Sequence, residues 1–559
     1  MRINHNSFQM NTARGGLGGT GGLGILAFPG GNGGRAEGGA VYQAARPGGA
    51  GFLDVRGALF LLNSAFGGDA GPGANGQSVN GGAGGMGGYA QAGGLFAADG
   101  LFIKDSLFFR NDADGGFGGS GGDSQGGAGG SGGAGAEADG GGISLSSATA
   151  TMENVYVLGS IAQGGFGGKG GNGNGAGGSG GNGGFAAAGG LNIVGGVAII
   201  TTMTLSNSNL FGGLGGDGGA AQQSGMGGDG GNGGSVLGAG IFSSFSELGL
   251  VNGTVSVDGA SGGSGGLGGL NGINQRGDGG AGGSAQGGGL YQASGIASIS
   301  NSTVNDNGVL AGLTFPNVPH VQTPDASGGG LFIDFGTVNV TNSTIALNRT
   351  FEIDVNQQLQ IAGEGGGLRN IQGAVQLTND TIVGNGSGVG GGVWALNLTL
   401  VNTLIARNFD SFGDPDFHAQ PGGNITDQGH NLIGNGGMSI GSFNNSVLVG
   451  TPAKPIDPML GPLADNGGPT YTMALLTGSK AINAGDDALA LDASGKKLAF
   501  DQRGPGFPRF VGTVDIGAFE VQAGKKKRPP NPQSVPASNL QPLQAITDAI
   551  PAPPGDRQF

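Results

Sequence analysis

The 559-residue chain contains no cysteine. Disulfides and thiolate metal sites are thereby excluded, and redox chemistry says nothing of the compartment. Charge is scarce as well. Only 11% of residues are Asp, Glu, Lys or Arg, with a formal net charge of −14, which argues against a nucleic-acid groove or an anionic membrane surface as partner. Aromatics make up 6%, with one tryptophan, Trp394, so a selective aromatic pocket is not indicated. No run approaches the roughly 18 apolar residues of a membrane span. The opening MRINHNSFQMNTARGG has no apolar signal-peptide core. Export would then use a route without such a signal, or the start would lie upstream of Met1. The four histidines, His5, His320, His418 and His430, are scattered, and no HExxH, nucleophile elbow or triad-like spacing occurs.

Glycine is what the chain has instead: 138 residues, with 23 prolines, together more than a quarter of the sequence. Such a composition suggests low complexity, yet 36% of residues are hydrophobic and they are grouped in short Val, Ile, Leu and Phe blocks between the glycine runs. Nine glycine clusters are each followed by an aliphatic: Val41, Leu95, Ile143, Leu191, Ile241, Leu290, Leu331, Leu368 and Val393. Their spacing falls from 54 residues to 25 as intervening insertions shrink. A minimal unit of about 25 residues fits one three-strand coil of a parallel β-helix. In GGGLFIDFGTVNVTNSTIALN the residues Val338 and Val340, then Ile345 and Leu347, alternate inward. The segments NSTVNDN, NSTIALN, NDTIVGN and NTLIARN end in Asn307, Asn348, Asn385 and Asn408, with Asn111 equivalent. Asparagine tolerates left-handed backbone and stacks by hydrogen bonding, so these read as a structural turn ladder rather than a ligand site.

The insertions have their own period. In QGGFGGKGGNGNGAGGSGGNGGF (163–185), every third residue is not glycine, and 114–134, 211–235 and 261–284 share the form of two triplet runs joined by a break. A first copy near 14–37 is read as incomplete. Period three matches a polyproline II type (polyglycine II-like) helix, with glycine on two edges so that chains approach closely. Each arm would be about 30 Å long. One such hairpin alone buries too little to offset its ordering cost, so stacked copies are expected to hold one another. Phe117, Phe166 and Leu214 fall at matching offsets and form an apolar row, read as insert-to-insert packing, with a sugar-binding platform as the sharper alternative.

From residue 424 the texture changes: NITDQGHNLIGN, then DPMLGPLADNGGPTYTMALLTGSKAINAGDD and DQRGPGFPRFVGTVDIGAFE. This stretch resembles the choice-of-anchor Q domain of bacterial surface proteins, which sits at the end of right-handed parallel β-helices. The upstream NSTI-x-x-N and GGGL units are similar to the polymorphic outer-membrane and pectin-lyase-like repeats that accompany it. The resemblance implies export and display at the cell surface, and transfers no catalytic residue. Family members typically end in an anchoring signal, whereas the tail GKKKRPPNPQSVPASNLQPLQ has no apolar segment and is expected to be a disordered Pro-rich extension. Asp457, Asp465, Asp486, Asp501, Arg503, Asp515 and Glu520 are read as loop-to-loop bonds sealing the solenoid end, with a Ca²⁺ cluster as the alternative.

Enzymatic signals are weak. GGLGGDGGA and GGMGGDGGN lack the spacing of the Ca²⁺-binding nonapeptide, and GxGxxG strings occur by chance in so glycine-rich a chain. A glycan lyase on this fold needs a basic residue near acidic Ca²⁺ ligands, for which only Lys104 with Asp105, or Glu153, offers isolated candidates. The expectation is an all-β, right-handed parallel β-helix solenoid with glycine-rich hairpin inserts and a C-terminal capping module. Its segments are 1–37 (incomplete coil and Gly-rich segment), 38–423 (β-helix with inserts), 424–521 (choice-of-anchor Q-like module) and 522–559 (tail). Function is expected to be noncatalytic, extracellular or at the cell surface, as a stalk or adhesin that needs no cofactor or metal. Its partners would be cell-surface polysaccharide or neighbouring cells. Alternatives are a polysaccharide lyase or glycosidase, and ice or glycan binding by the glycine-rich bundle.

Overall fold

The computed structural model describes residues 1–22, 26–46, 51–222, 225–273, 275–315, 324–353 and 358–522. The tail from 523 onward, like His320, lies outside the described residues. The chain winds as a right-handed parallel β-helix whose strands pair almost wholly with the same segment of the coils before and after. Every header aliphatic pairs with the next: Val41 with Leu95, then Ile143, Leu191, Ile241, Leu290, Leu331, Leu368, Val393 and finally Phe417. A second ladder runs Ile3, Val55, Ile103, Met152, Ile200, Leu250, Ile299, Val340, Leu377, Leu400. Apart from the half-buried Val41 these side chains are buried, and together they form one continuous apolar column system. Phe8, Phe60 and Phe108 stack within it at 4.9 and 4.3 Å between ring centroids.

Besides the glycine or alanine just before each header, such as Ala92, Gly140 and Ala188, two further corners per coil take left-handed backbone. One is filled by Asp105, Asn154, Asn252, Asn301, Asn342, Asn379 and Asn402, among others, all at φ near +50°. The other falls on the residue before the ladder asparagine: Asp306, Leu347, Gly384 and Arg407 have positive φ, whereas Asn307, Asn348, Asn385 and Asn408 do not. This corrects the expectation that the ladder residues themselves are left-handed. The first Asn of each NST-like segment takes that role, because short polar side chains bear αL at least cost.

The coil also carries more than three strands where an insert leaves it. A nine-stranded sheet that includes Asp112–Asp114 and Ile161–Gln163, and a seven-stranded sheet of pairs such as Ala138–Asp139 and Ala186–Ala187, flank the neck of each insert. Between them lies a small core of mostly alanines, Ala113, Ala138, Ala162 and Ala186 among them, with Leu210, Val236 and Val309 in later coils. The insert must leave and rejoin the coil, so its first and last residues pair with their counterparts in neighbouring coils.

At the C-terminal end, Phe443 packs edge-on against Phe417 at 5.0 Å, and the 3₁₀ turn Gly437–Ser442 lies close by. Asp427 accepts from Asn431 Nδ2, Ser446 Oγ and the Gly429 and Asn445 amides, replacing the missing next coil. Residues beyond 457 do more than close the end. They run back along the side of the last coils, covering Ala346, Val383, Leu404 and Leu432 with Leu460, Met473, Leu475 and Ile516. Gln502 reaches Ser302 and Thr303, Thr470 reaches Asn301, and Asn402 exchanges bonds with Asp486. Among the described residues no helix is long and apolar enough to cross a membrane.

Candidate functional site

The structure brings the ladder asparagines together. Asn307 Nδ2 donates to Asn348 Oδ1 (2.9 Å), Asn348 Nδ2 to Asn385 Oδ1 (2.9 Å) and Asn385 Nδ2 to Asn408 Oδ1 (3.0 Å). Each Oδ1 also accepts the backbone amide of the ladder residue one coil earlier. A separate run of the same kind joins Asn11, Asn63 and Asn111 in the first coils, and Ser160 and Ser208 interrupt the ladder between the two runs. The later run ends on Asp416, whose Oδ1 accepts Asn408 N and Nδ2. All four predicted members are buried in the wall of the coil, where they hold its corners.

The inserts form two layers, one from each arm. Along 115–122 the first glycine of each triplet donates to the same arm of the next coil: Gly115 to Gln163 O, Gly118 to Phe166 O and Gly121 to Lys169 O, all 2.8 Å. The second glycine donates to the other layer: Gly116 to Gly88 O, Gly119 to Gly85 O and Gly122 to Gly82 O. The returning arm repeats this with Gly130 to Gly122 O and Gly133 to Gly119 O. The first copy pairs both arms too, through Gly31 to Gly19 O and Gly34 to Gly16 O. Bonding of period three is what a three-residue-per-turn extended helix dictates. A Cβ on Gly118 or Gly119 would stand 2.0 Å from the carbonyl oxygen of Gly133 or Gly71, so both glycine edges are closed to any other residue.

The third residue of each triplet faces solvent, and its amide has no partner within the two layers. Asn and Asp side chains of the preceding coil take it up: Asp69 accepts from Phe117 N, Asp123 from Asn172 N, Asn172 from Ala220 N and Asp217 from Leu267 N, at 2.7–3.0 Å. Phe117 and Phe166 stack at 4.9 Å with ring planes 10° apart, and Leu214 follows in the same row. Because the rings cover one another's faces, they present edges to solvent. A sugar platform needs exposed ring faces.

Lys104, the basic residue singled out for lyase chemistry, is tied to Glu153 of the next coil at 2.7 Å. The hydrogen bond and charge of Glu153 raise its pKa, opposite to what a general base requires. Asp105 accepts from Asn154 Nδ2 at 2.7 Å. Of the C-terminal carboxylates, Asp501 holds Arg503, which lies between the rings of Phe507 and Phe519 at 4.0 and 3.7 Å. Asp515 accepts the Asn483 and Val521 amides, Glu520 the Asp515 amide, Asp465 the Gly467 amide, and Asp457 pairs with Arg407. Among the described residues no group of three or more His, Asp or Glu side chains could hold a metal ion.

One concave site was missed. A cleft of about 540 Å³ is lined by Asp325, Glu352, Glu364, Arg369, Gln360 and Phe412, among others. Arg369 pairs with Asp325 and Glu364 while its guanidinium stacks between Phe332 and Trp394 at 5.4 and 5.0 Å. Burial raises the pKa of Glu364, against the pull of Arg369, and raises that of Glu352, with Asp325 adding to it. The signal was in the sequence, one residue after each header aliphatic, where Phe242, Tyr291, Phe332, Arg369, Trp394 and His418 form one stacked column.

The strand pairing therefore defines the molecule's class: a parallel β-helix with a two-layer glycine array on its side and an extension folded back along its last coils. No family model matches the chain, and no curated protein matches it. Among solved structures it is similar to the crystal structure of pectate lyase Pel9A, with 12% identity over 86% of this chain and 96% of that one. The TM-score is 0.29, so the fold rests on the strand pairing alone and no activity follows.

Proposed function

We propose that the protein is a noncatalytic extracellular or cell-surface structural protein. Its β-helix would be a stalk, and the glycine array a lateral surface for adhesion or coating, with polysaccharide or neighbouring cells as the contact. The choice-of-anchor Q-like stretch at 424–521 supports this reading at the sequence level. The observation that carries it is that the conspicuous polar residues are spent on joining coil to coil: the Asn ladder, Lys104 with Glu153, and the Asn and Asp residues on the array. A molecule so built resists extension, since each coil is bonded to both neighbours along its length. The test is to label intact producing cells with an antibody and to compare attachment of cells with and without the gene. Surface labelling with a several-fold loss of attachment is the expected result. Labelling confined to the cell interior would overturn it.

The cleft at Arg369 favours a second reading, a polysaccharide lyase or glycosidase, because Glu352 and Glu364 are both shifted toward the protonated form beside it. Release of oligosaccharide from a polysaccharide panel, abolished by Glu364→Gln, would put that reading first.

A further inference from the structure

The two faces of the glycine array differ. The face made by the outgoing arms carries Leu17, Phe117, Phe166, Phe211, Leu214 and Leu267, several of them about 40% exposed. The face made by the returning arms mixes small polar residues such as Ser131, Ser179, Asn182 and Asn232 with the exposed Met86 and Met226. The side chains on each face stand in columns, one per triplet. Columns recur about every 9 Å along an arm, three residues at roughly 3.1 Å each. Members of a column lie about 4.8 Å apart, the spacing of hydrogen-bonded neighbours. Between columns run grooves floored by glycine, where nothing projects.

We infer that the outgoing-arm face is the interface of a homodimer, with the apolar columns of one copy seated in the glycine grooves of a second. Three observations select a second copy as occupant. A periodic corrugation is matched along its whole length only by a surface of the same two periods, which another copy of this chain provides. Six arms at about 4.8 Å, each about 30 Å long, give a face of roughly 850 Å², and a stable interface needs about 800 Å² from each partner. Both signs of charge stand on this face, Arg14 and Lys169 beside Asp69, Asp114, Asp123 and Asp217, so unlike groups can meet across a two-fold axis. Lys169 and Asp217 already approach to 3.9 Å within one copy, so a two-fold partner can exchange these pairs.

The test is sedimentation velocity of the full chain from about 1 to 100 µM. A monomer–dimer equilibrium is expected for the unaltered protein, with Phe166→Lys and, separately, Leu214→Lys weakening it at least 100-fold. Both side chains point outward; Phe166→Lys gives up the ring stack on Phe117, whereas Leu214→Lys should leave the melting curve unchanged and serves where loss of that stack destabilises the first variant. Ser131→Lys with Ser179→Lys on the opposite face should leave the dimer intact. A chain that stays monomeric at 100 µM overturns the inference, as does a dimer that is indifferent to both outward variants or is broken by the opposite-face pair. Binding of polysaccharide to this face by a monomeric chain would equally overturn it.

Discussion

At the residue scale, the fold depends on short polar side chains placed where backbone groups would otherwise lack partners. Asn385 is an example: fully buried, it donates to Ile345 O and Asn408 Oδ1, and accepts from both nitrogens of Asn348. Replacing it with alanine leaves the Asn348 amide buried without a partner, at about 1–3 kcal/mol, and removes one bond each from Ile345 O, Asn348 Nδ2 and Asn408 Oδ1. Asn385→Ala is expected to lower stability by about 2–4 kcal/mol in denaturant titrations, and a loss below about 0.5 kcal/mol would mean that the ladder does not hold the corners. The ladder's four members were legible from a repeated word in the sequence. The left-handed corner was misplaced by one residue or more, because Leu347 and Arg407 carry no propensity signal for φ near +60°. Neighbouring coils impose it.

At the element scale, the question is why glycine arms are ordered at all. Two of the three amides in each triplet bond to neighbouring arms, and the third bonds to an Asn or Asp side chain in several rows. At about 0.5–1.5 kcal/mol net per bond, an arm bonded on both sides recovers much of the ordering cost of its glycines, the β-helix to which it is tethered supplying the rest, whereas a lone arm recovers almost none. The glycine positions are not interchangeable with the outward one. Gly119→Ala places a methyl group 2.0 Å from a backbone oxygen and must push neighbouring arms apart. Hydrogen exchange is expected to show lost protection for the amides of Gly118–Gly122 and their partners in 82–88. Ser120→Ala, one residue on and facing solvent, is expected to stay within about 0.5 kcal/mol of the parent. Equal behaviour of the two variants would refute the close packing. Period and register were readable in the sequence, since they are local and repeated. The assignment of each glycine edge to one neighbour was not, because which arm lies beside which depends on how the coil turns at the neck.

At the scale of the whole molecule, burial sets the response to pH. Asp112 is raised to about 8, and Asp114, Asp139 and Asp416 to about 6, in each case chiefly by desolvation. Glu520 is raised to about 8 for the same reason, against the pull of Arg509. A carboxyl whose pKa is higher folded than unfolded binds more protons in the folded state between the two values. Its contribution is therefore fully present below the unfolded value near 4 and is lost as pH rises through 6 and then 8. The melting temperature is expected to fall between pH 5 and pH 8.5, and Asp112→Asn should recover some of the loss at pH 8 while changing little at pH 4. A melting temperature that rises across that interval would contradict the burial of these groups.

The sequence by itself determined the coil, its register and the spacing of its inserts. These follow from a repeated pattern of aliphatics, asparagines and glycine pairs, and each copy reports the same local requirement. Only the tertiary structure decided that the C-terminal stretch folds back along the last coils, that the polar residues of the array cap amides, and that Asp325, Glu352, Glu364 and Arg369 share a cleft. Those relations join residues from different coils, and in the case of Gln502 and Ser302 residues 200 positions apart. No periodicity encodes such pairs, because they arise where the stacking brings unlike segments side by side.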